Sequence, residues 1–119
     1  MIRLATLADL DTVESIEREV FPEDAWPREM LRDEIVSPHN VLFVAEHDGD
    51  IVGYAAARCL EGGDSADIHN IAVVERLRGT GLGARLFDRL LDWCSDRGAR
   101  TVLLEVRADN EVAQRLYAS

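Results

Sequence analysis

The feature that most constrains this sequence is a change of hydrophobic period on either side of a glycine-rich segment. Before the segment, Ala66 to Val74 has the composition of a strand, and after it apolar residues recur at helical spacing. The helical positions are Leu82, Leu86, Phe87, Leu90, Leu91 and Cys94. Thr101 to Val106 is then nearly all β-branched or leucine, which is typical of a strand buried on both faces. The pattern predicts a strand, a helix and a parallel strand in a right-handed crossover.

The first half of the chain predicts a different arrangement, in which successive strands are antiparallel. Asp48-Gly49 between two apolar runs indicates a hairpin turn, and Gly62-Gly63 indicates the turn that follows. The predicted strands are Ile2–Ala5, Val41–Glu46 and Ile51–Cys59, and the predicted helices are Leu7–Val20 with Thr6 as N-cap and Pro27–Val36. A last helix is predicted from about Asn110. We therefore expect one mixed α/β domain over residues 1–119, with an antiparallel meander followed by the crossover.

The charge of the chain limits its partners. Thirteen Lys and Arg against 23 Asp and Glu give a net charge of −10. Nucleic acid and anionic membrane surfaces are not expected as partners, because both attract basic proteins. A cationic amine or a basic peptide would suit this charge, although acidity also serves solubility alone.

The remaining composition predicts a cytoplasmic protein without a metal. Cys59 and Cys94 lie in apolar surroundings and form no CxxC pair, so we expect buried free thiols in a reducing compartment. The three histidines lack metal-ligand spacing. The first 20 residues are mixed and acidic, and no apolar run is long enough for a membrane span.

The glycine-rich segment predicts a phosphate-binding loop. Its residues are Arg78, Gly79, Thr80, Gly81, Leu82, Gly83 and Ala84. Glycines at alternate positions let a ligand approach the backbone, and the start of a helix attracts phosphate through free N–H groups and the dipole. Arg76, Arg78 and Arg85 add positive charge locally. Both the P-loop and the dinucleotide fingerprint fit worse, and a tight turn without a ligand is the alternative.

Several segments of the sequence resemble those of a known protein family. Arg78-x-x-Gly81-x-Gly83 is similar to the pyrophosphate loop of the GNAT superfamily of N-acetyltransferases. The further similarities are Asn70-Ile71-Ala72-Val73, Leu104-Glu105-Val106-Arg107, Asn110, Leu116-Tyr117, and Phe21-Pro22 with Trp26. Together they resemble the bacterial subfamily that acetylates the N-terminal alanine of ribosomal proteins. The resemblance covers the whole chain and implies acetyl-CoA as the cosubstrate.

The resemblance also implies roles for individual residues. Glu105 would be the general base that deprotonates the acceptor amine, and Tyr117 the acid that protonates the CoA thiolate. Asn110 would contact CoA, and the backbone of Ile71, Ala72 and Val73 would bind the pantetheine arm. Each role has a structural alternative: an ion pair with Arg107 for Glu105, core packing for Tyr117, and a helix cap for Asn110.

The sequence alone does not decide the roles of three further residues. His69 lies on the predicted strand before the loop and is a rival base, although a surface or hydrogen-bonded histidine of no catalytic role fits better. Phe21 and Trp26 are expected either to line an acceptor groove or to staple two helices together.

The end of the sequence differs from the family pattern. Members usually continue past Leu-Tyr with a Gly-Phe segment and two more strands, so this chain resembles a truncated form. One edge of Thr101–Val106 is then expected to be exposed, and a homodimer or a partner chain could complete it.

Three functions follow as hypotheses. The first is transfer of an acetyl group from acetyl-CoA to a primary amine, with a protein N-terminus as the acceptor. The others are a CoA-binding module without catalysis and an acetyltransferase for small amines.

Overall fold

The computed structural model describes residues 1–104. The strands are β1 (Ile2–Leu4), β2 (Asn40–His47), β3 (Asp50–Arg58), β4 (Ser65–Val73) and β5 (Thr101–Leu104), and the helices are α1 (Leu10–Val20), α2 (Arg28–Val36) and α3 (Leu82–Asp96). The five strands form one sheet in the order β1-β2-β3-β4-β5. Strands β1 to β4 are antiparallel neighbours, and β5 is parallel to β4. The predicted mixed sheet, with a meander and then a crossover, is confirmed.

Two turns show how local sequence sets these boundaries. Asp48 and Gly49 both have positive φ angles, +53° and +84°, as the two-residue hairpin between β2 and β3 requires. Gly98 has a φ of +103° and follows the last turn of α3. Its N–H donates to the Ser95 carbonyl at 2.9 Å, and the Ala99 N–H donates to the Cys94 carbonyl at 3.1 Å. This pattern is a Schellman motif, which ends the helix at the predicted glycine.

The first helix starts later than its sequence pattern predicts. Residues Leu7–Asp9 form a 3₁₀ turn, and the α-helix begins at Leu10. Asp9 accepts two hydrogen bonds from Arg3, at 2.8 and 2.9 Å, and one from the Thr6 N–H at 2.8 Å. Hydrogen bonding to the Arg3 guanidinium lowers the pKa of Asp9 to about 2, although burial opposes the shift. An ion pair therefore joins the first strand to the start of α1.

The helices cover both faces of the sheet. Tyr54 on β3 reaches Glu17 on α1, while a side chain at the preceding Gly53 would face Leu86 on α3 at 3.3 Å. Since neighbouring strand residues point to opposite faces, α1 and α3 lie on opposite sides. Gly53 also approaches β4 closely, because a Cβ there would lie 2.9 Å from the Ala72 carbonyl oxygen. Cys59 and Cys94 are buried free thiols, as predicted, and burial raises the pKa of Cys94 to about 11.

The prediction that Thr101–Val106 is buried on both faces is wrong for the part that the structure describes. Thr101, Leu103 and Leu104 are exposed, with 49% and 46% of the two leucines accessible, and only Val102 is half-buried. The reason is position: within the described sheet β5 is the edge strand, with β4 on one side. The expected exposed apolar edge is present at Leu103 and Leu104. Val106 lies outside the described residues.

Candidate active site

The predicted phosphate loop connects β4 to α3 and leaves Gly79 and Gly81 open to solvent. Gly79 and Gly81 have φ angles of +80° and +87°, which L side chains rarely adopt. A Cβ at either position would meet no protein atom within 4 Å. Thr80 closes the turn by donating its hydroxyl to the Leu77 carbonyl at 2.6 Å. The backbone shape thus explains two of the three glycines, and the space above them is open to a ligand.

The loop ends at a helix start that offers backbone donors. Gly81 is the N-cap of α3, and no side chain caps the helix. The Arg85 N–H makes the first helical bond, to the Gly81 carbonyl at 3.1 Å. The N–H groups of Leu82, Gly83 and Ala84 therefore have no acceptor within the helix. Such groups and the helix dipole bind anions, which fits the pyrophosphate of acetyl-CoA.

The arginines of the loop have different surroundings. Arg78 is half-buried and donates its Nε to the Val73 carbonyl at 3.3 Å, so its guanidinium lies against the end of β4. Beside it is a cleft of about 350 Å³, which is lined by Glu19, Val20, Val74, Glu75, Arg76 and Arg78. Arg85 is exposed. The cleft carries both signs of charge, since two glutamates and two arginines line it.

Strand β4 has one edge occupied along the segment predicted to bind pantetheine. Ile71, Ala72 and Val73 are buried and pair with Ala55, Tyr54 and Gly53 of β3. The described pairing with β5 runs from Ser65↔Thr101 to Ile68↔Leu104. A ligand that adds to β4 like a strand must therefore use the β5 side, beyond Ile68. The side chains of Ile71–Val73 are core, as expected.

A β-bulge lies where this pairing changes. Ala57 pairs with Ile68 but Ala56 pairs with Asn70, so β4 contains one extra residue, His69. Bulges bend a strand and re-aim side chains, and they are frequent next to active sites. The predicted strand contained no glycine or proline at this point, so the sequence offered no signal for the bulge.

The bulge is supported by a buried polar cluster, which we call the Glu17 cluster: Glu17, Tyr54 and Asn70. All three are fully buried. Glu17 accepts hydrogen bonds from the Tyr54 hydroxyl, from the Asn70 amide at 2.9 Å and from the Trp26 N–H at 2.8 Å. The Asn70 side-chain oxygen accepts the Ile71 N–H at 3.0 Å. The cluster links α1, the α1–α2 loop, β3 and β4, and the sequence pattern gives no sign of it.

A second carboxylate holds His69. Glu34, at 5% exposure, lies 2.6 Å from His69 Nδ1 through Oε1, and its Oε2 accepts the Asn40 amide at 2.8 Å. The Trp26 ring meets the imidazole edge-on, with centroids 6.2 Å apart. His69 is thus a hydrogen-bonded histidine whose side chain is still 19% exposed. Phe21, by contrast, is 2% exposed and belongs to the core rather than to a groove.

Three predicted site residues, Glu105, Asn110 and Tyr117, lie outside the described residues. Leu104, which precedes Glu105 in the chain, pairs with Ile68, the residue before the bulge. Over residues 1–104, no helix is both long and apolar enough to cross a membrane. The same range contains no group of three or more His, Cys, Asp or Glu able to hold a metal.

This combination, an α/β sheet whose parallel strand leads through a glycine loop into an uncapped helix, defines a protein that binds a phosphorylated cosubstrate. Residues 10–119 match the acetyltransferase (GNAT) family. The chain is 35% identical over 117 residues to a Bacillus subtilis protein whose provisional name is ribosomal protein bS18-alanine N-acetyltransferase, covering 98% of this chain and 76% of that one. It is 38% identical over 117 residues to the N-alpha-acetyltransferase RimI of Mycobacterium tuberculosis, covering 96% and 72%.

A solved structure agrees with these relatives. The ribosomal-protein-S18-alanine N-acetyltransferase from Escherichia coli superposes with a TM-score of 0.83 at 28% identity, covering 99% of this chain and 74% of that one. The chain therefore belongs to the GNAT family of acetyltransferases. Its activity is acetyl-CoA-dependent N-acetyl transfer, and acetyl-CoA is the cosubstrate that the loop geometry fits.

Proposed function

We propose that this protein acetylates the N-terminal α-amine of a protein, with the N-terminal alanine of a ribosomal protein as the acceptor. The observation that carries the proposal is the similarity, over nearly the whole chain, to relatives named for that reaction. The net charge of −10 favours an approaching ammonium group or basic peptide. We place this activity in the cytoplasm, within one domain of residues 1–119.

In the proposed complex, the pyrophosphate of acetyl-CoA lies over the loop from Arg78 to Ala84. The open positions above Gly79 and Gly81 and the N–H groups at the start of α3 support this placement. The pantetheine arm runs along the β5 side of β4, where the backbone of Ile71, Ala72 and Val73 would bind it. Asn110 contacts CoA in the same proposal.

The proposed chemistry is direct attack of the amine on the thioester. Glu105 accepts a proton from the amine, and Tyr117 donates a proton to the departing thiolate. An α-amine, with a pKa of about 7.7–8.0, needs less assistance than a lysine amine at about 10.4. The preference for an N-terminus over a lysine follows from this difference.

The test is CoA release from acetyl-CoA with a peptide that begins with alanine. We expect turnover by the wild type, and kcat/KM at least about 100-fold lower for Glu105→Gln and for Tyr117→Phe. Glu61→Gln, on an exposed turn, is the matched control and should behave as the wild type. Equal rates for Glu105→Gln and the wild type would remove Glu105 as the base.

Two other results would redirect the proposal. Tight acetyl-CoA binding with no turnover by the wild type would indicate a binding module. Turnover with small amines but not with peptides would indicate a small-molecule acetyltransferase.

A further inference from the structure

The bulge in β4 turns two consecutive side chains toward the same pair of helices. His69 contacts Glu34 of α2, and Asn70 contacts Glu17 of α1. In a regular strand these neighbours would point to opposite faces of the sheet. The extra residue removes the alternation and brings an imidazole to the side of the sheet where the α1–α2 loop lies.

Glu34 sets the orientation of this imidazole. Its carboxylate engages Nδ1 at 2.6 Å and is itself oriented by the Asn40 amide. A carboxylate on one ring nitrogen fixes the ring, selects the tautomer with the proton on that nitrogen, and stabilises the imidazolium. The second ring nitrogen of His69, Nε2, is therefore the atom that accepts and releases a proton.

The position of His69 places it beside the proposed pantetheine segment. It lies one residue after Ile68, where the described β4–β5 pairing ends, and two residues before Ile71, the start of the proposed pantetheine segment. The Trp26 ring, from the α1–α2 loop, covers one edge of the imidazole. The side chain is 19% exposed, so a proton can pass from it to solvent.

We propose that His69, positioned by Glu34, takes the first proton from the acceptor ammonium, before the amine attacks. The inference rests on the proposed function. An α-ammonium must lose two protons in becoming an amide, one before attack and one as the tetrahedral intermediate collapses. His69 Nε2 takes the first and releases it to solvent, while Glu105 takes the second.

The remaining atoms and charges balance. The amine nitrogen forms the C–N bond, and the C–S bond breaks as the intermediate collapses. The thiolate takes a proton from Tyr117, which equals the second proton lost by nitrogen. The net products are the amide, CoA thiol and one proton in solution.

The titratable groups that face His69 in the described chain are few. Glu34 approaches from α2. Two members of the Glu17 cluster lie further away. Glu17 of α1 accepts the Trp26 N–H, and Tyr54 of β3 accepts the Asn70 amide. In its neutral form the imidazole carries a lone pair on Nε2, which can accept the proton from the ammonium group.

The pH profile of kcat/KM for an alanine-starting peptide, at saturating acetyl-CoA, tests this role. For His69→Gln we expect a loss of about fivefold at pH 7, where about one in eight α-amines is neutral, and of under twofold at pH 9, where the amine arrives deprotonated. Glu34→Gln should show the same trend with a smaller loss. Glu105→Gln should stay impaired at both pH values. Glu61→Gln, on an exposed turn, is the control and should follow the wild type at both pH values.

The outcomes separate the two proposals. A loss in His69→Gln that does not change with pH would show a structural role and overturn the proposal, as would wild-type rates at pH 7. Absence of wild-type turnover at every pH would overturn the proposed function, and with it the role of His69. Acetyl-CoA affinity within twofold of wild type verifies that His69→Gln is folded, and should it not fold, Glu34→Gln provides the same readout.

Discussion

The glycine loop, residues 78 to 84, and the Glu17 cluster, which includes Asn70, are close to each other along β4 and the segment after it, yet they are built in opposite ways. The tip of the loop, Gly79 to Gly81, is exposed, and its proposed function depends on backbone N–H groups and positive φ angles. The cluster is fully buried and depends on side chains from α1, β3 and β4. Damage to the loop should weaken the binding of a ligand, whereas damage to the cluster should weaken the fold that supports the site.

The largest expected effect concerns the cluster. In Glu17→Ala, the Tyr54 hydroxyl, the Asn70 amide and the Trp26 N–H all lose a buried acceptor. We expect the free energy of unfolding to fall by about 3–5 kcal/mol, measured by urea denaturation. Glu29→Ala, an exposed glutamate on α2, should change it by under about 0.5 kcal/mol. A loss below about 1 kcal/mol for Glu17→Ala would show that the cluster does not anchor the bulge.

The next effect separates binding from stability in the loop. Gly81→Ala and Gly62→Ala are a matched pair, since both glycines have positive φ, +87° and +76°, and open space where a Cβ would lie. Each should cost about 1–2 kcal/mol of stability through the left-handed backbone. Gly81→Ala alone should also weaken acetyl-CoA binding, by about tenfold in calorimetry, because its methyl group enters the proposed ligand path. Equal affinities for the two variants would contradict the placement of the pyrophosphate.

The smallest expected effect concerns an ion pair near the surface. Its contribution to stability is compared with that of the fully buried Glu17 cluster. Arg3 and Asp9 form an ion pair in which 35% and 10% of the side chains remain exposed. The pKa of Asp9 is lowered from 3.8 to about 2, so the stabilisation is complete above pH 3.8 and is lost as the pH falls toward 2. At pH 6 the free energy of unfolding of the wild type should exceed that of Asp9→Asn by about 1–2 kcal/mol, after allowance for solvent screening.

The difference in the free energy of unfolding between the wild type and Asp9→Asn should shrink as the pH falls through 3.8 toward 2, as measured by denaturation at each pH. Asp33→Asn, an exposed carboxylate on α2, should differ little from the wild type throughout. A gap that persists at pH 2 would mean that the pair does not account for the effect of Asp9.

The sequence predicted the elements well where local signals were strong. Asp48-Gly49 and Gly98 marked turns that require positive φ, and both turns form as expected. The strand from Thr101 forms as predicted, but the prediction that both of its faces are buried is wrong. An apolar run has the same composition at the centre and at the edge of a sheet. The roles of Glu105, Asn110 and Tyr117 remain predictions.

The site was predictable in part for a related reason. Three alternate glycines with arginines nearby are unusual locally, so the loop is recognisable in the sequence alone. Glu17, Tyr54, Asn70 and Glu34 each sit among ordinary helix or strand residues, and no short-range pattern connects them. Glu17 and Asn70 are 53 positions apart, and Glu34 and His69 are 35 apart. Only their burial and mutual hydrogen bonds reveal a role.

The sequence by itself determined the order of elements, the crossover and the position of the glycine-rich loop, because periodicity, turn residues and glycine positions act over a few residues. The tertiary structure alone decided the bulge at His69, the pairing of His69 with Glu34, and the cluster around Glu17. Buried polar groups need partners, and which partners they find depends on how helices and strands that are distant in sequence pack together.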